Sequence, residues 1–323
     1  MNIKWQALIF AVLILISLGL TRVGSSAFLS MFSNAEEIPK NISTDTSRAE
    51  TSPFFEGKTI DSATTTSPLG KKLPVRKWDV LDSPIGAEAV LIQSLDESFP
   101  FLHYRTYKTW PIASITKLLT AVVVLEDIGE DKKITISQDA VKGEGVAGEL
   151  VSGEVYTAED LIKIMLITSS NDAAFAFEEH MGGRAEFIRR MNKKAGELGM
   201  KDTVIQDAAG LSDLNISTAN DLLKLTKYII EKHPDIFNWT RLPSMLVQPT
   251  NDQTTKSLLN INPFISTTGF LGGKTGTLPE AKQNLLSIFS FREYRVVVIV
   301  LGSENRVKEV PELLEWIENA YKF

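Results

Sequence analysis

Apolar positions are arranged in three different ways along this chain. From Ala7 to Leu20 they form a nearly continuous run behind Lys4. From residue 28 to about 78 they are sparse, and twelve of the thirty residues between Asn41 and Gly70 are Ser or Thr. From Val80 onward they recur at the spacings of strands and helices. The first run has the length of a signal-peptide core, with Ser25-Ser26-Ala27 as a small-residue cleavage site. Counting Trp5 and Val23 makes it long enough for a retained anchor. The second stretch buries too little apolar surface to offset its ordering entropy, so it reads as a flexible linker. The expected organisation is therefore a leader or membrane anchor over 1–27, a linker over 28–78 and a folded domain over 79–323.

Within the folded part, Ala87–Ser94 and Phe99–Thr106 flank the Asp96-Glu97-Ser98 turn as a β-hairpin. Ser114 to Asp127 is apolar nearly all round, the mark of a helix buried at the centre of a domain. Helical periodicity continues through Ala158–Ile167, Asp172–Met181, Arg184–Leu198 and Ala219–Lys232, and the helical stretch runs to Trp239. Thr157 and Asp160 form a capping-box-like start to the first of these. Strands return at Gly269–Thr277, Asn284–Phe291 and Arg295–Leu301, followed by an amphipathic helix over Val310–Tyr321. Strands at both ends of the domain with helices between them predict an α/β (α+β) fold. One antiparallel sheet would be built from both chain ends and flanked by helices, with an all-helical lobe inserted. The cleft between sheet and lobe is where a site belongs.

Composition narrows the chemistry. A net charge of −6 argues against a nucleic-acid partner. The absence of cysteine removes thiol catalysis and Cys-based metal sites. His103, His180 and His233 are far apart and show no metal-ligand spacing, so no metal or cofactor is expected. So few histidines also leave little material for a Ser-His-Asp triad, and another base is needed.

Three short motifs supply candidates. In Ser114-Ile115-Thr116-Lys117 the i, i+3 spacing places a hydroxyl and an amine on one helix face. Ser114 at the helix start can offer its own N–H to an oxyanion. Lys117 lies on an otherwise apolar helix, where a charge is costly. Ser169-Ser170-Asn171 follows an apolar helix and sets a hydroxyl beside a carboxamide, although Ser303-Glu304-Asn305 has the same pattern and an ordinary helix cap explains either. Gly272-Gly273-Lys274-Thr275-Gly276-Thr277 combines a cation, two hydroxyls and glycines that let a ligand approach strand backbone. Gly143–Gly148 matches the dinucleotide fingerprint, but Gly153 interrupts any following helix and Glu144 would repel a pyrophosphate; it reads as a loop near the cleft.

In this order the three motifs form the set of penicillin-binding proteins and class A β-lactamases. The chain resembles the D-alanyl-D-alanine carboxypeptidase family of low-molecular-mass penicillin-binding proteins over roughly residues 80–323. The resemblance is carried by Ala113–Ala121, Ser170-Asn171-Asp172-Ala173, Met191–Ala195, Leu198-Gly199-Met200, Ala209-Gly210-Leu211 and Ser217–Leu222. It implies a serine peptidase in which Ser114 is acylated, Lys117 is the general base, Ser169 passes a proton to the leaving D-alanine and Asn171 holds the substrate amide. Lys274, Thr275, Gly276 and Thr277 would bind the substrate, with the N–H groups of Ser114 and Thr277 as oxyanion hole. The implied partners are the peptidoglycan stem peptide and, as covalent inhibitors, β-lactams. The implied location is extracytoplasmic, with the membrane reached only through the N-terminal segment.

Departures from that family are Ser170 and Lys282 where glycine is common, and Gln206-Asp207 before Gly210. A β-lactamase would need a deacylating glutamate loop between Asn171 and Lys274, and none is evident. An endopeptidase acting on cross-links would use the same residues, and a catalytically silent wall-binding module would not need every reactive position filled.

Overall fold

The computed structural model describes residues 72–142 and 147–323. The leader or anchor, nearly all of the linker, and residues 143–146 of the glycine-rich loop lie outside the described residues. The first strand, β1 (Val75–Arg76), already falls inside the stretch assigned to the linker. A hairpin follows, β2 (Ala89–Ser94) and β3 (Pro100–Tyr104). The helices α1 (Thr116–Asp127), α2 (Ala158–Ile167), α3 (Asn171–His180), α4 (Arg184–Glu197), α5 (Ala219–Lys232) and α6 (Asp235–Thr240) come next. A second hairpin, β4 (Ser244–Val247) and β5 (Lys256–Leu259), precedes the long strands β6 (Phe270–Leu278), β7 (Lys282–Phe291) and β8 (Tyr294–Ser303). Helix α7 (Arg306–Ala320) and strand β9 (Tyr321–Lys322) close the chain.

The main sheet has the order β6-β7-β8-β2-β3, every pair antiparallel, so both ends of the domain do contribute to one sheet. Val296–Leu301 is aliphatic at six successive positions and all six are buried, as befits a strand covered on both faces. Alternate residues serve two cores. Leu91, Leu286, Ile288, Val297 and Ile299 pack toward α1 and the helical lobe. Val90, Ile92, Leu285, Phe289, Val298 and Val300 pack toward Val310, Leu313 and Ile317 of α7. Because Lys274 pairs with Leu286 and Thr275 with Leu285, Lys274 belongs to the face that meets the lobe.

Helix starts follow their caps. Thr157 accepts a hydrogen bond from the Asp160 N–H, Ser170 from Ala173 and Thr218 from Asp221. The C-terminal helix begins four residues earlier than its apolar periodicity indicates, because Asn305 caps it through the Lys308 N–H. The β4–β5 hairpin is not announced by the pattern, since its strands have four residues each and are half exposed.

The domain boundary is set by Arg76. β1 pairs with β9 across the chain ends. The Arg76 guanidinium donates to the carbonyls of Val80 and Ala320 and pairs with Asp82 at 3.0 Å. It also lies 5.1 Å from the Trp316 ring centroid and 5.8 Å from that of Tyr321. A chain beginning at Lys72 is expected to unfold cooperatively. One beginning at Asp79 loses these contacts, about 2 kcal/mol, which lowers Tm by about 4–8 °C for a domain of this size. Thermal unfolding of the two truncated chains checks this, and equal Tm values would show that β1 contributes nothing.

Candidate active site

The three motifs meet where the helical lobe abuts the edge strand β6. Ser114 sits in a single 3-10 turn, Ala113–Ile115, that runs directly into α1, so the α-helix proper starts at Thr116. Lys117, one turn on, is fully buried. Its Nζ lies 3.0 Å from Ser114 Oγ, 2.8 Å from Asn171 Oδ1 and 2.5 Å from the Ala209 carbonyl oxygen. Lys274, also buried, points from β6 to Ser169, Nζ to Oγ 3.0 Å, and donates to the Thr275 carbonyl at 2.9 Å. Ser169 occupies the turn between α2 and α3, and Asn171 opens α3.

Sequence forces this closeness through backbone. Glycine at 276 lets β6 lie against the nucleophile's turn, since a Cβ there would fall 2.6 Å from the Ile112 carbonyl oxygen and 3.2 Å from the Ser114 nitrogen. Gly210 has φ +80°, and a Cβ would lie 2.1 Å from the Ala113 carbonyl oxygen. Ala113 and Ser169 themselves adopt φ of 49° and 60° without being glycine. Such conformations cost about 1–3 kcal/mol each and persist where the surroundings dictate them.

The electrostatics are those of two cations pressed together. Burial lowers the Lys117 pKa to about 7, against a smaller opposing pull from Asp207. Burial also holds Lys274 well below the usual lysine range, helped by repulsion from Lys117 and Arg306. Every contact of these two ammonium groups given above is to a neutral oxygen. That arrangement favours a free amine able to accept a proton.

Ser114, Lys117 and Asn171 thus form one hydrogen-bonded group, and Ser169 and Lys274 a second beside it. Asn171 turns its Oδ1 to Lys117 rather than outward. Thr275 is buried on the other face of β6, and Thr277 Oγ1 accepts from Arg306 Nη1 at 2.8 Å. None of the three histidines bonds to these groups; His233 instead meets Glu126 at 2.9 Å.

Two participants escaped the sequence reading. Arg306 Nη1 also donates to the Gly276 carbonyl at 2.9 Å, and among the described residues no carboxylate pairs with it. Its signal was a cation at the first position of a helix, where the dipole disfavours positive charge. Asp207 had been noted only as a departure. Its carboxylate accepts the N–H groups of Ala209, Gly210, Leu211 and Ser212 at 2.5–3.0 Å, folding the loop that aims the Ala209 carbonyl at Lys117. Asn215 ties that loop to the nucleophile's helix through Thr116 Oγ1, 3.1 Å.

Comparison with known proteins gives the same direction. The family described as D-alanyl-D-alanine carboxypeptidase matches residues 104–305. A D-alanyl-D-alanine endopeptidase of Haemophilus influenzae is 35% identical over 220 residues, 64% of this chain and 74% of that protein. A D-alanyl-D-alanine endopeptidase of Pseudomonas aeruginosa is 32% identical over 217 residues, covering 64% of this chain and 69% of its own length. Among solved structures, a D-alanyl-D-alanine carboxypeptidase from Mycobacterium tuberculosis superposes with a TM-score of 0.68 at 24% identity, over 75% of this chain and 95% of that one, a likeness of fold. The expected class of fold, an antiparallel sheet with an inserted helical lobe, is the one found.

The tightness at Gly210 is directly testable. Gly210→Ala combines a positive φ with a collision against the Ala113 carbonyl and should lower stability by about 2 kcal/mol or more. Gly196→Ala, inside α4 with open space around its Cβ position, should raise stability by about 0.5–1 kcal/mol. Denaturant unfolding measures both. An unchanged Gly210→Ala protein would mean that the loop does not press on the nucleophile's turn.

Proposed function

Because this chain belongs to the D-alanyl-D-alanine carboxypeptidase family, we propose that the Ser114 centre cleaves the D-alanyl-D-alanine end of peptidoglycan stem peptides. The single observation that carries this reading is a fully buried lysine, uncompensated by a carboxylate contact, 3.0 Å from a serine hydroxyl at a helix start.

The reaction follows from that contact. Neutral Lys117 takes the Ser114 proton as Oγ attacks the penultimate carbonyl. Charge developing on the carbonyl oxygen is met by the N–H groups of Ser114 and Thr277, which Gly276 allows to stand face to face. As the C–N bond breaks, the departing amine of D-alanine needs a proton, and Ser169, held by Lys274, is the group placed to relay one. The Ser114 ester is then hydrolysed by water. Arg306 supplies the cation and Thr277 and Lys274 further donors for the terminal carboxylate, while Thr275 stays on the other face of β6. Arg306 strengthens that role, since its guanidinium is already committed to Thr277 and has no acidic partner among the described residues. Asn171 orients Lys117 and would hold the substrate amide. β-Lactams, which present a strained acyl group and a carboxylate with the same spacing, should acylate Ser114. An extracytoplasmic location, by the segment over 1–27 as leader or anchor, is part of the proposal.

A second reading, cleavage of cross-links rather than of free pentapeptide ends, is favoured by the endopeptidase names of two relatives. It uses the same acyl-enzyme and differs only in what leaves.

Two experiments test the proposal. The first is acylation by penicillin, followed by intact mass and peptide mapping. Below pH about 7 Lys117 is protonated and cannot accept the serine proton, so the acylation rate should climb about tenfold per pH unit and level off above that value. Lys117→Arg keeps the charge but cannot lose it, and should slow acylation by ~10²-fold or more with the fold intact. A near wild-type rate in Lys117→Arg, or an adduct away from Ser114, overturns the mechanism. The second compares release of free D-alanine from a pentapeptide with opening of cross-linked dimers. A carboxypeptidase favours the first substrate and an endopeptidase the second, while inertness toward both removes the proposed function.

A further inference from the structure

Helix α3 buries an acid that the reaction does not use. Ala173, Ala174, Ala176 and Phe177 give the helix an apolar face, and Glu178, one turn on from Ala174, is only 5% exposed. Core filling alone calls for an apolar residue there, since a buried carboxylate is costly unless it is bonded. Glu178 Oε1 accepts the Ala208 N–H at 2.9 Å. Arg184, at the start of α4, is the cation that bears on Glu178, yet its guanidinium donates to the Gln206 carbonyl at 3.0 Å. Burial raises the Glu178 pKa, against the pull of the Ala208 N–H and Arg184 and with added repulsion from Asp207 and Glu179.

What Glu178 holds leads straight to the base. Ala208 and Ala209 are wholly buried, and each backbone group of the pair has its own anchor. Glu178 holds the Ala208 N–H, the Thr120 hydroxyl donates to the Ala208 carbonyl at 2.7 Å, and Asp207 accepts the Ala209 N–H at 2.9 Å. The remaining group, the Ala209 carbonyl, lies 2.5 Å from Lys117 Nζ. On losing its proton, the three-donor ammonium becomes an amine with two N–H bonds and one lone pair. With one N–H on the Ala209 oxygen and the other on Asn171 Oδ1, the lone pair is left facing Ser114 Oγ at 3.0 Å. Glu178 follows Asn171 by seven residues, two helical turns, so both stand on one side of α3. One helix thus fixes both acceptors of Lys117, Asn171 directly and the Ala209 carbonyl through Glu178.

We infer that Glu178 is a positioning residue for the general base: through the Ala208–Ala209 backbone it fixes the Ala209 carbonyl on Lys117 Nζ and so aims the lone pair of the amine at Ser114. This rests on the Ser114–Lys117 mechanism proposed above. Reach, not charge, is what the role requires. The carboxylate whose charge pulls on Lys117 is Asp207, and the cation facing it across the cleft is Lys274. An accepting oxygen favours the protonated lysine, so a carbonyl that swings away leaves Lys117 with a lower pKa as well as a misdirected lone pair.

Two substitutions in the whole protein separate reach from charge. Glu178→Asp keeps the carboxylate and withdraws it by one methylene from the Ala208 N–H, whereas Glu178→Gln gives up the charge and keeps an oxygen at the same reach. The measurement is the rate of penicillin acylation of Ser114 as a function of pH, which in the wild-type protein should level off above pH about 7. In Glu178→Asp the inflection should move to lower pH and the plateau should fall about tenfold or more. Glu178→Gln should keep the wild-type inflection and a plateau within about twofold of the wild-type value. Glu178→Ala, which leaves room for water at the Ala208 N–H, should give the same shift as Glu178→Asp and replaces it if that variant does not fold. Val310→Ala, a core truncation on α7, should lower Tm with the inflection in place. An inflection that moves in Val310→Ala as well follows stability and overturns the role. A shift in Glu178→Gln, or none in Glu178→Asp, also overturns it, while continued acylation of Ser114 leaves the mechanism standing. No acylation of the wild-type protein at any pH overturns both.

Discussion

Two lysine side chains are buried in one cleft with only neutral oxygens around them, and the rest of the structure is organised to keep them so. Taking an ammonium out of water without a counter-charge costs several kcal/mol, and the group answers by losing its proton. The same domain shows the alternative. Lys256 is also buried, in the hairpin β4–β5, and there it meets Glu154 at 2.6 Å. A carboxylate of that kind beside Lys117 would restore its charge and remove its basicity. Asp207 is the acid that bears on Lys117, and both its oxygens are occupied by four backbone N–H groups. It acts on the loop first and on the ammonium only weakly.

Holding that cleft requires backbone to touch backbone. Gly210 presses the loop against Ala113, Gly276 presses β6 against Ser114, and Ala113 and Ser169 carry left-handed φ values in the turns between. Each is unfavourable locally. They are sustained by a rigid frame on both sides: α1, buried along nearly its whole length, and β6, zipped to β7 over eight residue pairs. Loss of side-chain bulk at these points is what lets a helix start, a loop and a sheet edge converge on one hydroxyl. A pre-strained site of this kind has little left to rearrange when the carbonyl oxygen gains charge.

How legible this was depended on whether the information was local. An apolar run located α1, periodicity located the long helices, and the aliphatic run 296–301 marked a strand, because burial repeats over many neighbouring residues. The short Lys-Thr-Gly and Ser-x-x-Lys motifs pointed to side chains that the structure brings into one cleft, and a family resemblance joined them. Arg306 was missed because its partners, Gly276 and Thr277, lie some thirty residues away on another strand. Asp207 was visible as an unusual residue, yet its role consists of backbone bonds that no side-chain pattern encodes. The pairing of β1 with β9 joins the two ends of the described domain through two residues apiece, too few for any periodicity to register.

On the proposed reading, Lys274 to Thr277 would hold the reacting atoms, and the residues after Thr277 would meet the part of the substrate that stays attached to Ser114. The departing part would lie the other way, toward Ser169 and Ser170. There Gly148 packs against the side chains of Ile164, Thr168 and Ser170, and a Cβ on it would come 2.6 Å from Ile164. The stretch that follows is fastened by Glu154, which accepts the Val151 N–H and the Tyr156 hydroxyl and pairs with Lys256. On that reading, removal of a single D-alanine or opening of a cross-link would turn on the room left beside Ser170, which this fastened loop borders.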